Sequence, residues 1–149
     1  DKGGLFIGAA LAHNTTLQNL DLMDCLVGDS GCVSIFESLG ATADKENEMQ
    51  AKQMRRQKNM GANHRVQVLT MSGNEIGDIG AGTIGKALNT NRGLVRLDLS
   101  RNRLMDKGAT ALARALERNK TLRELHLSSN QMGDEGIKCI ADAMRCNNS

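Results

Sequence analysis

The chain has 149 residues, 40% of them hydrophobic and 24% charged, the length and balance of one soluble globular domain. It has no Pro, Trp or Tyr and only two Phe, so its core must be layered from Leu, Ile, Val, Met and Ala. A net charge of +2 is too small to argue for nucleic acid, no apolar run approaches the ~18 residues of a membrane span, and no signal peptide precedes the first residue. That residue is Asp1 rather than Met, which leaves any preceding segment open.

In chain order, the opening DKGGLFIGAALAHNTT reads as the helical half of a unit, because it aligns residue for residue with DKGATALARALERNKT further on. TLQNLDLMDCLVGDSGCVSIFESLG follows, with Leu17, Leu20, Leu22 and Val27 facing inward. Residues 41–65, ATADKENEMQAKQMRRQKNMGANHR, interrupt the pattern. They lack Gly and Pro from Ala41 to Met60 and are rich in good helix formers, which predicts a helical or mobile insertion with few apolar residues to pack. Three ungapped segments then begin at Val66, Leu94 and Leu122, a period of 28 residues. Each predicts a short strand, a turn through Asn74, Asn102 or Asn130, and an apolar-faced helix after Gly80, Gly108 or Gly136. The asparagine amides are expected to satisfy backbone groups left unpaired in the turn. Asp78, Asp106 and Asp134 are expected to suit the positive ends of the helices that they open.

The stretch GAGTIGKA, Gly80 to Ala87, matches both a dinucleotide-binding glycine pattern and most of a phosphate-binding loop, with Lys86 in the lysine position. The repeat frame argues against both. Gly85 aligns with Ala113 and Ala141 within a helix, Lys86 aligns with Arg114 and Asp142 on its outer face, and Ala87 stands where a Mg²⁺-binding Ser or Thr belongs. A phosphate loop needs its glycines in the turn directly after the strand. No cofactor is therefore assigned. Cys25, Cys32, Cys139 and Cys146 have no C-x-x-C spacing and no histidine cluster, which argues against zinc. Cys25 and Cys32 read as reduced, partly buried residues of a cytosolic protein.

The pattern L-x-x-L-x-L-x-x-N/C-x-L, carried by Leu94, Leu97, Leu99, Asn102 and Leu104 and their equivalents, resembles the leucine-rich repeat. Its 28-residue length and helix resemble the ribonuclease-inhibitor-like subfamily, which also supplies the repeat regions of NOD-like receptors. The resemblance covers nearly the whole chain except residues 41–65. It implies an α/β solenoid with a curved parallel sheet inside and helices outside. The repeats begin and end within one frame with no obvious polar cap, so a single array spanning 1–149, a fragment of a longer one, is expected.

With the leucines inward, the alternate strand residues face the concave surface: Asn19, Asp21 and Met23; Val68, Thr70 and Ser72; Arg96, Asp98 and Ser100; Glu124, His126 and Ser128. Stacking in register pairs Arg96 with Glu124 and Asp98 with His126. Asp98, His126 and Ser128 do not make a hydrolase, because the serine and histidine share one strand on an open face with no oxyanion hole suggested. The expected function is non-enzymatic recognition of a partner protein through this face and the adjoining loops. Asp21, Thr70, Arg96, Asp98, Glu124 and His126 are its candidate contacts. The insertion holds six basic and three acidic residues, a net +3 that leaves −1 for the remainder. Its Lys52, Arg55, Arg56 and Lys58 are candidate contacts for an acidic partner. The alternative is a regulator of a partner enzyme, because Ran GTPase-activating proteins are built on similar repeats. No residue here matches their loop arginine. Neither nucleic acid nor membrane is expected as a partner, and the expected location is cytoplasmic.

Overall fold

The computed structural model describes residues 2–40 and 64–147. In chain order they form α1 (Lys2–Leu11), β1 (Asn19–Asp21), α2 (Gly28–Leu39), β2 (Val68–Thr70), α3 (Asp78–Leu88), β3 (Arg96–Asp98), α4 (Asp106–Leu116), β4 (Glu124–His126) and α5 (Asp134–Cys146). The strands make one parallel sheet in the order β1-β2-β3-β4, and each helix packs on the next. Leu20, Leu69, Leu97 and Leu125 stand in register across the sheet, which stacks one inward leucine per layer. This is an α/β leucine-rich-repeat solenoid, as the period predicts.

The core follows the columns of the repeat. Leu69, Met71 and Ile76 of one layer and Leu94, Leu97, Leu99 and Leu104 of the next are fully buried, together with Ile84, Leu88 and Leu112 from the helices. Burying a side chain of that size removes it from water for about 1.5–3 kcal/mol, and no single layer can cover both of its own faces. The layers at each end are accordingly only partly covered, with Leu17, Leu20, Leu125, Leu127 and Met132 packed against the core but not enclosed by it.

Polar side chains tie one layer to the next. Asn102 Nδ2 donates to Met71 O, Leu99 O and Ser100 O, while its Oδ1 accepts the N–H groups of Asn74 and Ile76. Asn74 does the same one layer earlier, donating to Leu22 O and accepting from Cys25 and Val27. Cys25 occupies the asparagine position in β1's layer, where no earlier strand among the described residues presents backbone groups to it. Its thiol donates locally to Met23 O, and it is exposed rather than partly buried as expected. Cys32 is buried as expected, and that burial, with Asp29 nearby, pushes its thiol pKa up. All four cysteines are free.

Asp78, Asp106 and Asp134 stand in the first turns of the helices that they open, as expected, but the bonds that Asp78 and Asp106 form lie in the next layer. Asp78 does not cap the helix that it opens. Its Oδ1 accepts the N–H groups of Met105 (2.9 Å) and Gly108 (2.8 Å), at the start of the following helix. Asp29 serves Gly77 and Gly80 in the same way, and Asp106 serves Gly133 and Gly136. The cap thus belongs to the contact between layers. This explains the glycine column, since a Cβ at Gly108 would stand 2.5 Å from Asp78 Oδ1. A second asparagine column was not anticipated. Asn91 and Asn119 accept the N–H groups two and three residues onward, turning the chain into the next strand. Their amides reach back to Leu39 O and Leu88 O in the preceding helix.

GAGTIGKA lies within α3. Gly80 closes on Asp29 and Gly85 on the carbonyl of Ala111, so these glycines permit close helix contacts and form no phosphate cradle.

Candidate protein-binding face

Three-residue strands in register place two rows of side chains on the open side of the sheet. One row is Asn19, Val68, Arg96 and Glu124, and the other is Asp21, Thr70, Asp98 and His126. Period-2 alternation explains both rows, since each lies one residue to either side of an inward leucine. The predicted contacts Asp21, Thr70, Arg96, Asp98, Glu124 and His126 are therefore brought together. The expected third row is not uniformly open, because Ser72 and Ser100 are only 3% and 9% exposed. They lie past the strand ends, where the chain bends inward toward the buried asparagines, while Met23 and Ser128 remain exposed. Lys52, Arg55, Arg56 and Lys58 lie outside the described residues.

The expected Arg96–Glu124 pair is present and bidentate. Arg96 Nε lies 2.5 Å from Glu124 Oε2, and Nη2 lies 2.9 Å from Oε1. The hydrogen bond from Arg96 is the main cause holding the Glu124 carboxyl below its ordinary range. Partial desolvation opposes it, and the charge of Arg96 reinforces it. Arg96 is shifted upward for the same reason. The expected Asp98–His126 pair is not formed. Asp98 Oδ1 accepts the N–H of Ser100, and His126 Nε2 lies 3.7 Å from Glu124 Oε2 on its own strand. Two residues along a strand lie on the same face, so Glu124 competes with Asp98 for the imidazole. Ser128 Oγ donates to Ser100 Oγ at 2.9 Å and makes no bond to His126, which removes the hydrolase arrangement.

Beyond the strands the face continues into loops that the sequence did not single out. Asp24, Gly73, Arg101 and Ser129 occupy one column and all adopt left-handed backbone, with φ of 53°, 71°, 55° and 56°. Arg101 Nη1 reaches Asp24 Oδ2 at 3.4 Å across two layers, and Arg103 Nη2 reaches Glu75 Oε1 at 2.8 Å. These exposed pairs are worth at most about 1 kcal/mol each in stability. What they do is fix the positions of charges along the rim. The result is an open, polar surface of both signs, held on a rigid sheet.

Residues 13–36, 62–85, 90–113 and 118–141 each match the family model described as Leucine Rich repeat. No curated protein matches the sequence. Among solved structures, that of Leiomodin-1 Actin-Binding Site 2 is similar at a TM-score of 0.66 and 24% identity, covering 97% of this chain and 72% of that one. The tropomodulin C-terminal domain of Caenorhabditis elegans is similar at a TM-score of 0.57 and 14% identity, covering 97% of this chain and 92% of that one. At such identities the likeness is one of fold. With the strand, the asparagine turn and the helix recurring at one 28-residue period, this chain belongs to the leucine-rich repeat family.

Proposed function

We propose that this chain is a non-enzymatic protein-recognition module that binds its partner through the concave strand face and the adjoining loops. The observation that carries the reading is the pair of rows across four strands, ending in the bidentate Arg96–Glu124 pair. Charges of both signs at fixed spacing on a broad open surface suit another protein surface better than a small molecule, which needs a concave, largely apolar pocket. Electrostatic pairing across such a face governs register and selectivity of docking more than raw affinity.

Actin is the first partner to test, supported by the likeness in fold to an actin-binding site of leiomodin-1. Lys52, Arg55, Arg56 and Lys58 enter the proposal as a second, charge-driven contact for an acidic partner surface. The experiment is equilibrium binding of the fluorescently labelled chain to monomeric and to filamentous actin. It is repeated with residues 42–62 replaced by a short linker that restores the repeat period. Saturable binding with Kd of about 1 μM or tighter supports the reading. If it persists in the shortened chain, the strand face is the primary contact. If it disappears while the shortened chain stays folded, the basic segment takes that role. Absence of binding to either form of actin would remove actin as the partner.

A further inference from the structure

The two edges of the solenoid, one where helices run into strands and the other where strands run into helices, differ in charge. Among the described residues, the loops that enter the strands hold Arg65, Arg92, Arg118, Lys120 and Arg123 against the one acid Glu117. The loops that leave the strands are dominated by acids, and most of those are already engaged. Asp24 and Glu75 face Arg101 and Arg103, and Asp29, Asp78 and Asp106 each accept two N–H groups of the next layer. Nothing comparable balances the entering edge. Arg92, Arg118 and Lys120 form no ion pair among the described residues.

Helix polarity accounts for part of this basic edge. A cation suits the negative end of a helix, and Arg92 donates through Nη1 and Nη2 to Asn91 O and Asn89 O just past α3. That end carries only about half an elementary charge, which leaves much of a guanidinium's charge uncompensated. Lys120 reaches a neutral amide, Asn147 Oδ1 at 3.3 Å. The loops themselves are stacked in register. Arg92 N donates to His64 Nδ1, Asn119 Nδ2 to Asn91 O, and Asn147 Nδ2 to Asn119 O. Arg65, Arg92, Arg118 and Lys120 stay exposed although another loop lies on each of theirs. Their exposure therefore belongs to the edge and not to the first or last layer.

Spacing sets the form of a partner. Strands repeat at about 4.8 Å and packed helices at about 8–10 Å, and this edge lies between them. Two residues of an extended chain advance about 6.6–7 Å, so every second side chain of a segment laid across the layers meets a new loop. Val95, 38% exposed in the middle of the edge, offers an apolar seat among the cations. A polypeptide can bring both carboxylates and an apolar side chain. A nucleic acid would need aromatic platforms for its bases, and Phe6 and Phe36 lie on α1 and α2 rather than in these loops.

We propose that this basic edge docks an acidic, extended segment of a partner protein, laid across the layers with carboxylates at alternate positions against Arg65, Arg92, Arg118 and Lys120 and an apolar side chain on Val95. The surface is separate from the concave strand face, and its test does not depend on actin.

The test titrates the full chain, followed by NMR, with a short blocked peptide in which glutamate alternates with threonine around a central leucine. A second peptide carries glutamine in place of glutamate, a third carries lysine, and a single-stranded oligouridylate serves as the nucleic-acid probe. The expected result is saturable binding of the glutamate peptide, with amide shifts gathered in residues 64–67, 91–95 and 118–121. Its affinity should fall at least about fivefold between about 50 and about 250 mM salt. Arg118→Glu with Lys120→Glu, both exposed, should weaken it at least about tenfold and turn the preference to the lysine peptide. Lys52→Gln, Arg55→Gln, Arg56→Gln and Lys58→Gln together should change it by less than about threefold. Shifts confined to the strand face, equal binding of the glutamate and glutamine peptides, or no binding would overturn the proposal. Tighter binding of oligouridylate at the same loops would also overturn it, by assigning the edge to nucleic acid. So would loss of binding in the fourfold glutamine variant, by assigning the contact to residues 52–58.

Discussion

Arg101 Nη1 and Asp24 Oδ2, seventy-seven residues apart in the chain, stand 3.4 Å apart across the backbone of Gly73. The intervening layer has no side chain at that point, and its φ of 71° lies in the left-handed region. A Cβ there would be 1.9 Å from Asp24 Oδ1, so any side chain must move the carboxylate and break the pair. Gly73→Ala is expected to destabilise the fold by about 1–2 kcal/mol through backbone strain and displacement of Asp24. Arg101→Ala removes only the exposed ion pair and should cost no more than about 0.5 kcal/mol. Urea unfolding of the two variants checks the difference.

Asn102 is the most heavily used polar side chain in the core. Its replacement by alanine strands the N–H groups of Asn74 and Ile76 and relieves none of the carbonyls that it now serves. Each buried unsatisfied group costs about 1–3 kcal/mol, so Asn102→Ala is expected to lose about 3 kcal/mol. Asn130→Ala should lose less, because its oxygen serves Leu104 alone among the contacts seen and its layer lies at the end of the stack. Equal losses measured by thermal or urea unfolding would count against the ladder.

Two glycines of α3 and α4 are predicted to respond in opposite directions. Gly108→Ala places a methyl 2.5 Å from Asp78 Oδ1 and 3.0 Å from Ala81 Cβ, which pushes the capping carboxylate away. Losing a cap costs about 0.5–2 kcal/mol, so a destabilisation of about 2 kcal/mol is expected, with faster amide exchange at the start of α4. Gly82→Ala meets nothing within 4 Å and should stabilise α3 by up to about 1 kcal/mol through helix propensity. If GAGTIGKA were a phosphate cradle instead, ATP would protect the chain thermally. No such shift is expected in the wild type or in Gly82→Ala.

The Arg96–Glu124 pair gives the face a pH dependence. Glu124 titrates below its ordinary value of 4.5 in the folded chain because Arg96 donates to its ionised form. A carboxyl with a depressed folded pKa adds stability above its unfolded pKa, and that contribution is lost as pH falls through the folded value. The affected window therefore runs downward from about pH 4.5, with no change expected near neutrality. NMR titration of the Glu124 carboxyl should show the low value. In Arg96→Ala it should return toward 4.5, and an unchanged value would mean that Arg96 is not the cause.

The layers were legible because a repeat multiplies each signal. Leucines at one spacing in four segments leave a single inward face, and the in-register Arg96 and Glu124 followed from the same frame. What stayed hidden were contacts that depend on how far a side chain reaches into its neighbour. Asp78 serves Gly108 rather than its own helix, because the next layer's turn, thirty residues on, is nearer to its carboxylate. Asn91 and Asn119 were in plain view at the helix ends but carry no periodic apolar signal. Asp98 and His126 share a register, yet the imidazole Nε2 lies 3.7 Å from Glu124 Oε2, a choice of rotamer that spacing cannot express.

The most direct test of the recognition claim compares two triple variants for binding to actin. One reverses charges on the strand face, Asp21→Lys, Arg96→Glu and Asp98→Lys. The other reverses exposed charges on the outer helices, Lys86→Glu, Arg114→Glu and Lys138→Glu. Both sets are confined to side chains outside the core, so both chains should fold, which circular dichroism verifies. The account predicts at least about a tenfold loss of affinity in the strand-face variant and less than about twofold in the helix variant. Loss confined to the helix variant, or equal binding by all three chains, would contradict it.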